Sequence, residues 1–278
     1  IAANHSIASL RFINAWKPVS ETERSKSLQV LANGFMLFGR YDSTLLLMDT
    51  AIALNRRIYG DVSEALCANY LCLARAYNNL TRYQEALPYI NKSIEIGRQV
   101  FQKPHPLLAK SIYVRGVIQA NLKEFQAAVR DFEEAERMVR QALGETHPAV
   151  GNVYQMMGDT YNDMGDLETA LNYSRRSLAI REATLGVHHG EVGYVCLYLG
   201  NLYLQTGDYP NAILYYERGY EIAIKDGNGT PGFDKASRML FLYATVGDFV
   251  KEAAVFESML RQGDWLTGFG ERSEYVSN

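Results

Sequence analysis

Apolar residues recur along this chain three and four positions apart, in segment after segment, with polar breaks between them. That spacing predicts amphipathic helices. The stretch from His147 to Gly190 displays the pattern most fully. Its apolar stripes predict one helix over Ala149–Met164 and a second over Glu168–Leu185. Gly165-Asp166 interrupts the stripe between them, as a glycine following a helix C-terminus does.

This two-helix unit recurs. Displaced by 42 residues in either direction, the same residue types fall into register. The small residues at the predicted helix crossing are Ala32, Ala74, Gly116, Gly158 and Gly200. One turn later come Phe35, Tyr77, Tyr161 and Tyr203, with Gln119 the exception. Tyr41, Tyr83, Phe125, Leu167 and Tyr209 read as the turn, and Leu45, Leu87, Val129, Leu171 and Ile213 open the apolar stripe of the second helix. Five copies in register define a helical-repeat protein.

Taken in order, residues 1–20 read as a capping helix closed by Pro18, which covers the first repeat. Residues 21–262 read as about six helix pairs. The pairs are predicted at Glu21–Phe38 with Ser43–Tyr59, Glu64–Leu80 with Gln84–Phe101, Leu107–Asn121 with Gln126–Leu143, the opening stretch, and Glu191–Gln205 with Asn211–Lys225. Pro88 is placed in the first turn or so of its helix. Beyond the breaker cluster from Asp226 to Gly232 comes a looser pair, Asp234–Val246 and Val250–Gln262. There Gly207 and Gly247 stand 40 rather than 42 residues apart, which marks a degenerate last repeat. Residues 263–278 carry no periodicity and read as an irregular tail. The predicted fold class is all-α: a right-handed superhelical solenoid of antiparallel helix pairs.

Composition changes this picture little. Hydrophobic residues make up 47% and charged residues 21% of the chain, as in ordinary folded proteins. A net charge of -3 gives no electrostatic case for nucleic acid, and no apolar run is long enough to enter and cross a bilayer. Cys67, Cys72 and Cys196 lack metal-like spacing and read as small core residues of a cytoplasmic protein. A chain that opens on Ile1 reads as a fragment or a processed form.

Chemistry is hard to assemble. His105, His147 and His189 recur with the repeat, so they serve turn structure before catalysis. His188-His189 is an adjacent pair without further ligands nearby in sequence. There is no phosphate-binding glycine loop, nucleophile elbow, zinc-protease motif or C-x-x-C. Glu133, Glu134 and Glu136 read as solvent-facing charge. The expectation is no enzyme activity, no cofactor and no metal.

The sequence of small residue, aromatic three later, G-D-Y turn and alanine resembles the tetratricopeptide repeat. Gly200, Tyr203, Gly207-Asp208-Tyr209 and Ala212 carry the resemblance, and Gly158, Tyr161, Gly165-Asp166-Leu167 and Ala170 repeat it. That family's usual period is about 34. The longer period, the openings His105-Pro106, His147-Pro148 and His189-Gly190, and the helix ends A-I-R-E-A-T-L-G and A-L-G-E-T-H-P are similar to the kinesin-light-chain subgroup. Where those repeats carry asparagines, this chain has Gln29, Leu71, Tyr113, Gln155 and Leu197, and the lysine-asparagine clamp of chaperone-binding repeats is not matched.

The resemblance implies that the first helix of each pair lines a concave groove. Counted from the small residue, positions −6, −3, +1 and +4 share that helix face. They give Lys26, Gln29 and Asn33; Arg75 and Asn78; Lys110 and Tyr113; Asn152, Gln155, Asp159 and Asn162; Tyr194 and Asn201; and Asp234. Amides, charges and tyrosines in one stripe suit an extended peptide. Basic residues lie toward the N-terminal half, and Asp159, Asp163 and Asp234 toward the C-terminal half. The implied function is a protein-protein interaction scaffold or adaptor that holds an extended or helical partner segment, with cargo or transport-complex work and cytoskeletal or ciliary association as its narrower form. The alternatives are a permanently assembled subunit of a large microtubule- or cilium-associated complex, and a docking or regulatory domain of a larger enzyme.

Overall fold

The computed structural model describes residues 20–225, 233–248 and 251–252, and the regular structure among them is helical throughout. The chain divides into two compact units, residues 1–145 and 146–278. The first holds α1 (Glu21–Leu37), α2 (Tyr41–Tyr59), α3 (Glu64–Asn79), α4 (Tyr83–Val100), α5 (Pro106–Asn121) and α6 (Phe125–Leu143). The second holds α7 (Pro148–Asp163), α8 (Leu167–Leu185), α9 (Gly190–Thr206), α10 (Tyr209–Lys225) and α11 (Phe233–Val246). Within each unit an odd-numbered helix pairs with the even-numbered helix after it, and each pair packs on the one before. The fold class is therefore all-α, with helix pairs stacked as in a tetratricopeptide solenoid. The expected capping helix, the tail and nearly all of the second helix of the last repeat lie outside the described residues.

Local chemistry sets the helix ends. Ser20 and Glu23 form a capping box at α1: the Glu23 amide donates to Ser20 Oγ at 3.3 Å, and the Ser20 amide donates to Glu23 Oε2 at 2.9 Å. The recurring histidines are N-caps. Nδ1 of His105, His147 and His189 accepts the amides of Leu107, Ala149 and Glu191 at 3.3, 3.2 and 3.1 Å. The odd-numbered helices close with one recurring C-cap. The amides of Arg40, Arg82, Glu124, Asp166, Asp208 and Asp248 each reach back to the carbonyl five residues earlier. That geometry needs a left-handed residue just before the donor. Gly39, Gly165, Gly207 and Gly247 supply it, while Thr81 and Lys123 adopt it at φ 58° and 65° without glycine's freedom.

The even-numbered helices begin one or two residues earlier than the apolar pattern predicts. Tyr41, Tyr83, Phe125, Leu167 and Tyr209, read as turn residues, are the first residues of their helices. At α2, α4 and α6 the N-caps are Arg40, Arg82 and Glu124, none of which makes a side-chain cap bond. Pro88 consequently lies early in the second turn of α4.

Paired helices touch at the small residues. A β-carbon on Gly116 would stand 2.7 Å from the Phe132 ring, on Gly158 2.6 Å from Ser174 Oγ, and on Gly200 2.9 Å from the Tyr216 ring. Ala32 and Ala74 are fully buried at the same register. Around the crossings, the α1–α3 core gathers Leu28, Met36, Leu47, Met48 and Leu73. The α8–α11 core gathers Leu178, Val192, Leu199, Tyr216 and Leu242.

Tyrosines explain much of the aromatic content. Tyr89 stacks on Tyr77 at 5.2 Å and Tyr173 on Tyr161 at 5.7 Å, with Tyr203 on Tyr215 at 5.4 Å. Arginines cover these rings: Arg82 over Tyr77, Arg176 over Tyr154 and Arg175 over Tyr203. The third repeat departs from this scheme. Where its sisters have Tyr89 and Tyr173 it has Asp131, and where they have Leu73 and Met157 it has Arg115. The two form a bidentate pair at 2.6 and 2.7 Å, with Asp131 buried.

Candidate functional site

The first unit arranges its share of the predicted stripe on three odd-numbered helices. Lys26 and Asn33 on α1 are exposed and Gln29 is half-buried; Arg75 and Asn78 on α3 are half-buried; on α5 Lys110 is exposed and Tyr113 half-buried. Two of these side chains are committed to the fold: Asn78 Oδ1 accepts from Asn121 Nδ2 at 3.0 Å, and the Tyr113 ring packs against Phe132 at 5.9 Å. Arg75 and Lys110 are neighbours. Partial burial of its ammonium, then the Arg75 charge, pushes the Lys110 pKa below the ordinary lysine value. Among the described residues no carboxylate forms an ion pair with either cation. Cys72 also senses both cations, although burial dominates and raises its thiol to about 11, so it is an inert core group.

In the second unit the stripe is concentrated on α7. Asn152 is exposed, Gln155 is only 5% exposed, and Asp159 and Asn162 are half-buried. Gln155 Nε2 donates to Asp159 Oδ1 at 3.0 Å. The carbonyl oxygens of Gln155 and Asn162 are buried and accept no hydrogen bond among the described residues. Burial first, then the Asp163 charge, raises the Asp159 carboxyl above its ordinary value, against the opposing pull of Gln155, Tyr198 and Arg181. On α9, Tyr194 is 62% exposed and Asn201 accepts the Tyr216 hydroxyl. The side chain of Asp234 lies outside the described residues.

Two residues beside this stripe escape the register argument. Tyr198 faces Asp159, and its hydroxyl is raised by burial and then by that carboxylate. The signal in the sequence is a departure, since Val30, Cys72, Val114 and Met156 hold the same register. Arg181 is buried on α8, donating to Ser177 Oγ at 2.6 Å and Asn152 Oδ1 at 3.0 Å, with its Nε 3.3 Å from Glu191 Oε2. Val139, Gly97 and Asn55 precede it in register, so the periodic reading passes over it.

Among the described residues no group of three or more histidines, cysteines and acids could hold a metal ion, and no helix is long and apolar enough to cross a membrane.

The tetratricopeptide repeat family matches residues 64–141, 113–183 and 152–225, which together span more than half of the chain. The chain belongs to that family. No curated protein matches it. Among solved structures, BtubC (BKLC) from P. vanneervenii is similar with a TM-score of 0.69 and 17% identity, over 82% of this chain and 92% of that one. A putative kinesin light chain from Podosopora anserina with nearly identical TPR-like repeats reaches 0.63 and 20% identity, over 76% and 100%. A Rap protein complexed with competence and sporulation factor reaches 0.64 and 14%, over 93% and 72%. The fold is thus that of tetratricopeptide proteins of the kinesin-light-chain-like kind, an architecture that suits a protein-protein interaction scaffold.

Proposed function

We propose that this chain is a non-enzymatic scaffold or adaptor that holds an extended or helical segment of another protein against the first-helix stripes of its repeats. The Arg75–Lys110 pair carries the reading. The neighbouring Arg75 charge disfavours the charged form of Lys110, and packing does not require these cations, since Ala68 holds the Lys110 register and Val117 the Arg75 register in adjacent repeats. An acidic side chain of a partner would relieve the repulsion while gaining two charge-assisted hydrogen bonds. That a Rap protein of this fold is found in complex with competence and sporulation factor supports the same use of the architecture. Cargo or transport-complex work in the cytoplasm, close to cytoskeleton or cilium, is the narrower form of the proposal.

The test is site-specific photo-crosslinking. A crosslinker replaces exposed Asn33 on α1 in one preparation and exposed Glu133 on α6 in another. We expect a defined set of proteins to be captured from position 33 and not from 133, and that set to be lost with Arg75→Glu plus Lys110→Glu. Equal capture from both positions, unchanged by the charge reversal, would move the binding surface away from the stripe.

A further inference from the structure

The repeat register does not require polar side chains at Gln155, Asp159 and Asn162 of α7. At the Gln155 register the second and fifth repeats place Leu71 and Leu197, both buried. At the Asp159 register the third repeat has Val117, and at the Asn162 register Met36, Ala120 and Leu204 occur. The fold therefore accepts apolar side chains at all three positions. The fourth repeat instead gathers an amide, a carboxylate and a second amide on successive turns of one helix, and among the described residues leaves two amide oxygens, with the Tyr198 hydroxyl beside them, without a partner. A buried acceptor without a donor is destabilising, and native proteins carry few of them. The cation nearest to hand does not answer the need. Arg181 contributes least among the neighbours that favour the ionised Asp159; its two terminal nitrogens donate to Ser177 and Asn152, and its Nε stands 3.3 Å from Glu191 Oε2.

We infer that Gln155, Asp159 and Asn162, with Tyr198 beside them, form a recognition site for a basic side chain of a partner protein, arginine above lysine. A guanidinium presents five N–H donors in a plane. It can set two of them on the Asp159 carboxylate and, once the buried Gln155 and Asn162 amides turn toward it, others on their oxygens, whereas an ammonium offers a point charge with three donors. Asp163 adds negative charge one turn further along the helix. The Tyr198 ring gives the guanidinium a flat face of the kind arginine stacks on. The inference rests on the partner-binding reading and gives it an occupant in the second unit.

The whole chain, isotopically labelled, is titrated with Nα-acetyl-arginine amide, with Nα-acetyl-norleucine amide as the uncharged probe, and the side-chain amide resonances of Gln155 and Asn162 are followed. We expect saturable shifts with the arginine probe alone. Gln155→Leu should keep or raise the thermal midpoint while weakening arginine binding about tenfold, and Asp159→Asn should weaken it at least as much. Equal shifts with both probes, or arginine binding untouched by both variants, would overturn the site. So would unfolding of Gln155→Leu, because it would make the amide structural. If the arginine probe binds but no partner crosslinks to the stripe, the scaffold reading fails alone. If partners crosslink and the arginine probe does not bind, this inference fails alone.

Discussion

Single residues in this chain are best judged against their counterparts in sister repeats, because the backbone job is the same and only the side chain changes. The residue closing each odd-numbered helix is left-handed whether or not it is glycine. Gly39, Gly165 and Gly207 take that conformation freely, while Thr81 and Lys123 take it against the preference of their side chains. Thr81 is β-branched and carries more of the strain. Replacing either residue with glycine should therefore stabilise the first unit, by about 1 kcal/mol for Thr81 and less for Lys123, since glycine's extra freedom in the unfolded chain offsets part of the gain. Urea midpoints of the two variants check this. A lower midpoint for Thr81→Gly would show that its hydroxyl, which donates to its own neighbour Leu80's carbonyl at 2.7 Å, outweighs the backbone term.

At the scale of helices and helix pairs, most of the architecture is legible in the sequence, and the misses have physical causes. The small crossing residues are readable because a close approach leaves no room for a larger side chain. The starts of α2, α4 and α6 are not, because Arg40, Arg82 and Glu124 are not capping residues and the aromatic after each looks like a turn. Of the stripe, the positions are legible from helical spacing, but not the commitments. Nothing in the register reveals that Arg181 occupies Asn152 or that Tyr216 occupies Asn201. The third repeat is intermediate. Gln119 stands out as an exception to the aromatic rule, yet the compensating change sits elsewhere, where Arg115 and Asp131 replace an aliphatic residue and a tyrosine together. Arg115 donates both bonds to Asp131, and this pairing raises the Arg115 pKa. Removing one partner should be costly: Asp131→Ala is expected to destabilise by about 3 kcal/mol, because a half-buried guanidinium loses its counter-charge. Changing both to their sister residues, Arg115→Leu with Asp131→Tyr, should return stability to near the parent value, since apolar packing replaces a buried ion pair at little or no cost. Chemical denaturation of both variants decides this. A double variant no better than Asp131→Ala would mean that the third repeat cannot adopt the tyrosine arrangement of its neighbours.

Across the whole molecule, the residues that carry stability and those proposed for recognition are different sets. Tyrosine–tyrosine and arginine–tyrosine stacks between paired helices, the crossing glycines and the aliphatic cores hold the repeats together. Some stripe residues oppose stability: the Arg75 charge disfavours the charged form of Lys110, and Asp159 is desolvated beside acceptors that are unmet among the described residues. Exchanging the stripe for its sister residues should therefore strengthen the protein. A variant with Arg75→Val, Lys110→Ala, Asp159→Val and Asn162→Ala takes each replacement from an adjacent repeat, and its urea midpoint should match or exceed the parent's. The gain from position 159 has a fixed sign with pH. A carboxyl whose folded pKa is raised burdens the fold only when ionised, so the benefit of removing it is full at neutral pH and vanishes below the ordinary aspartate range. Tyr173→Ala supplies the contrast. Its ring packs on Tyr154 at 5.9 Å and Tyr161 at 5.7 Å, so losing it should cost about 3 kcal/mol. The four-residue variant should at the same time lose partner capture, while a folded Tyr173→Ala keeps it. If the stripe variant unfolds earlier than the parent at neutral pH, the polar stripe is part of the scaffold's own stability, and recognition must be sought on another face of the repeats.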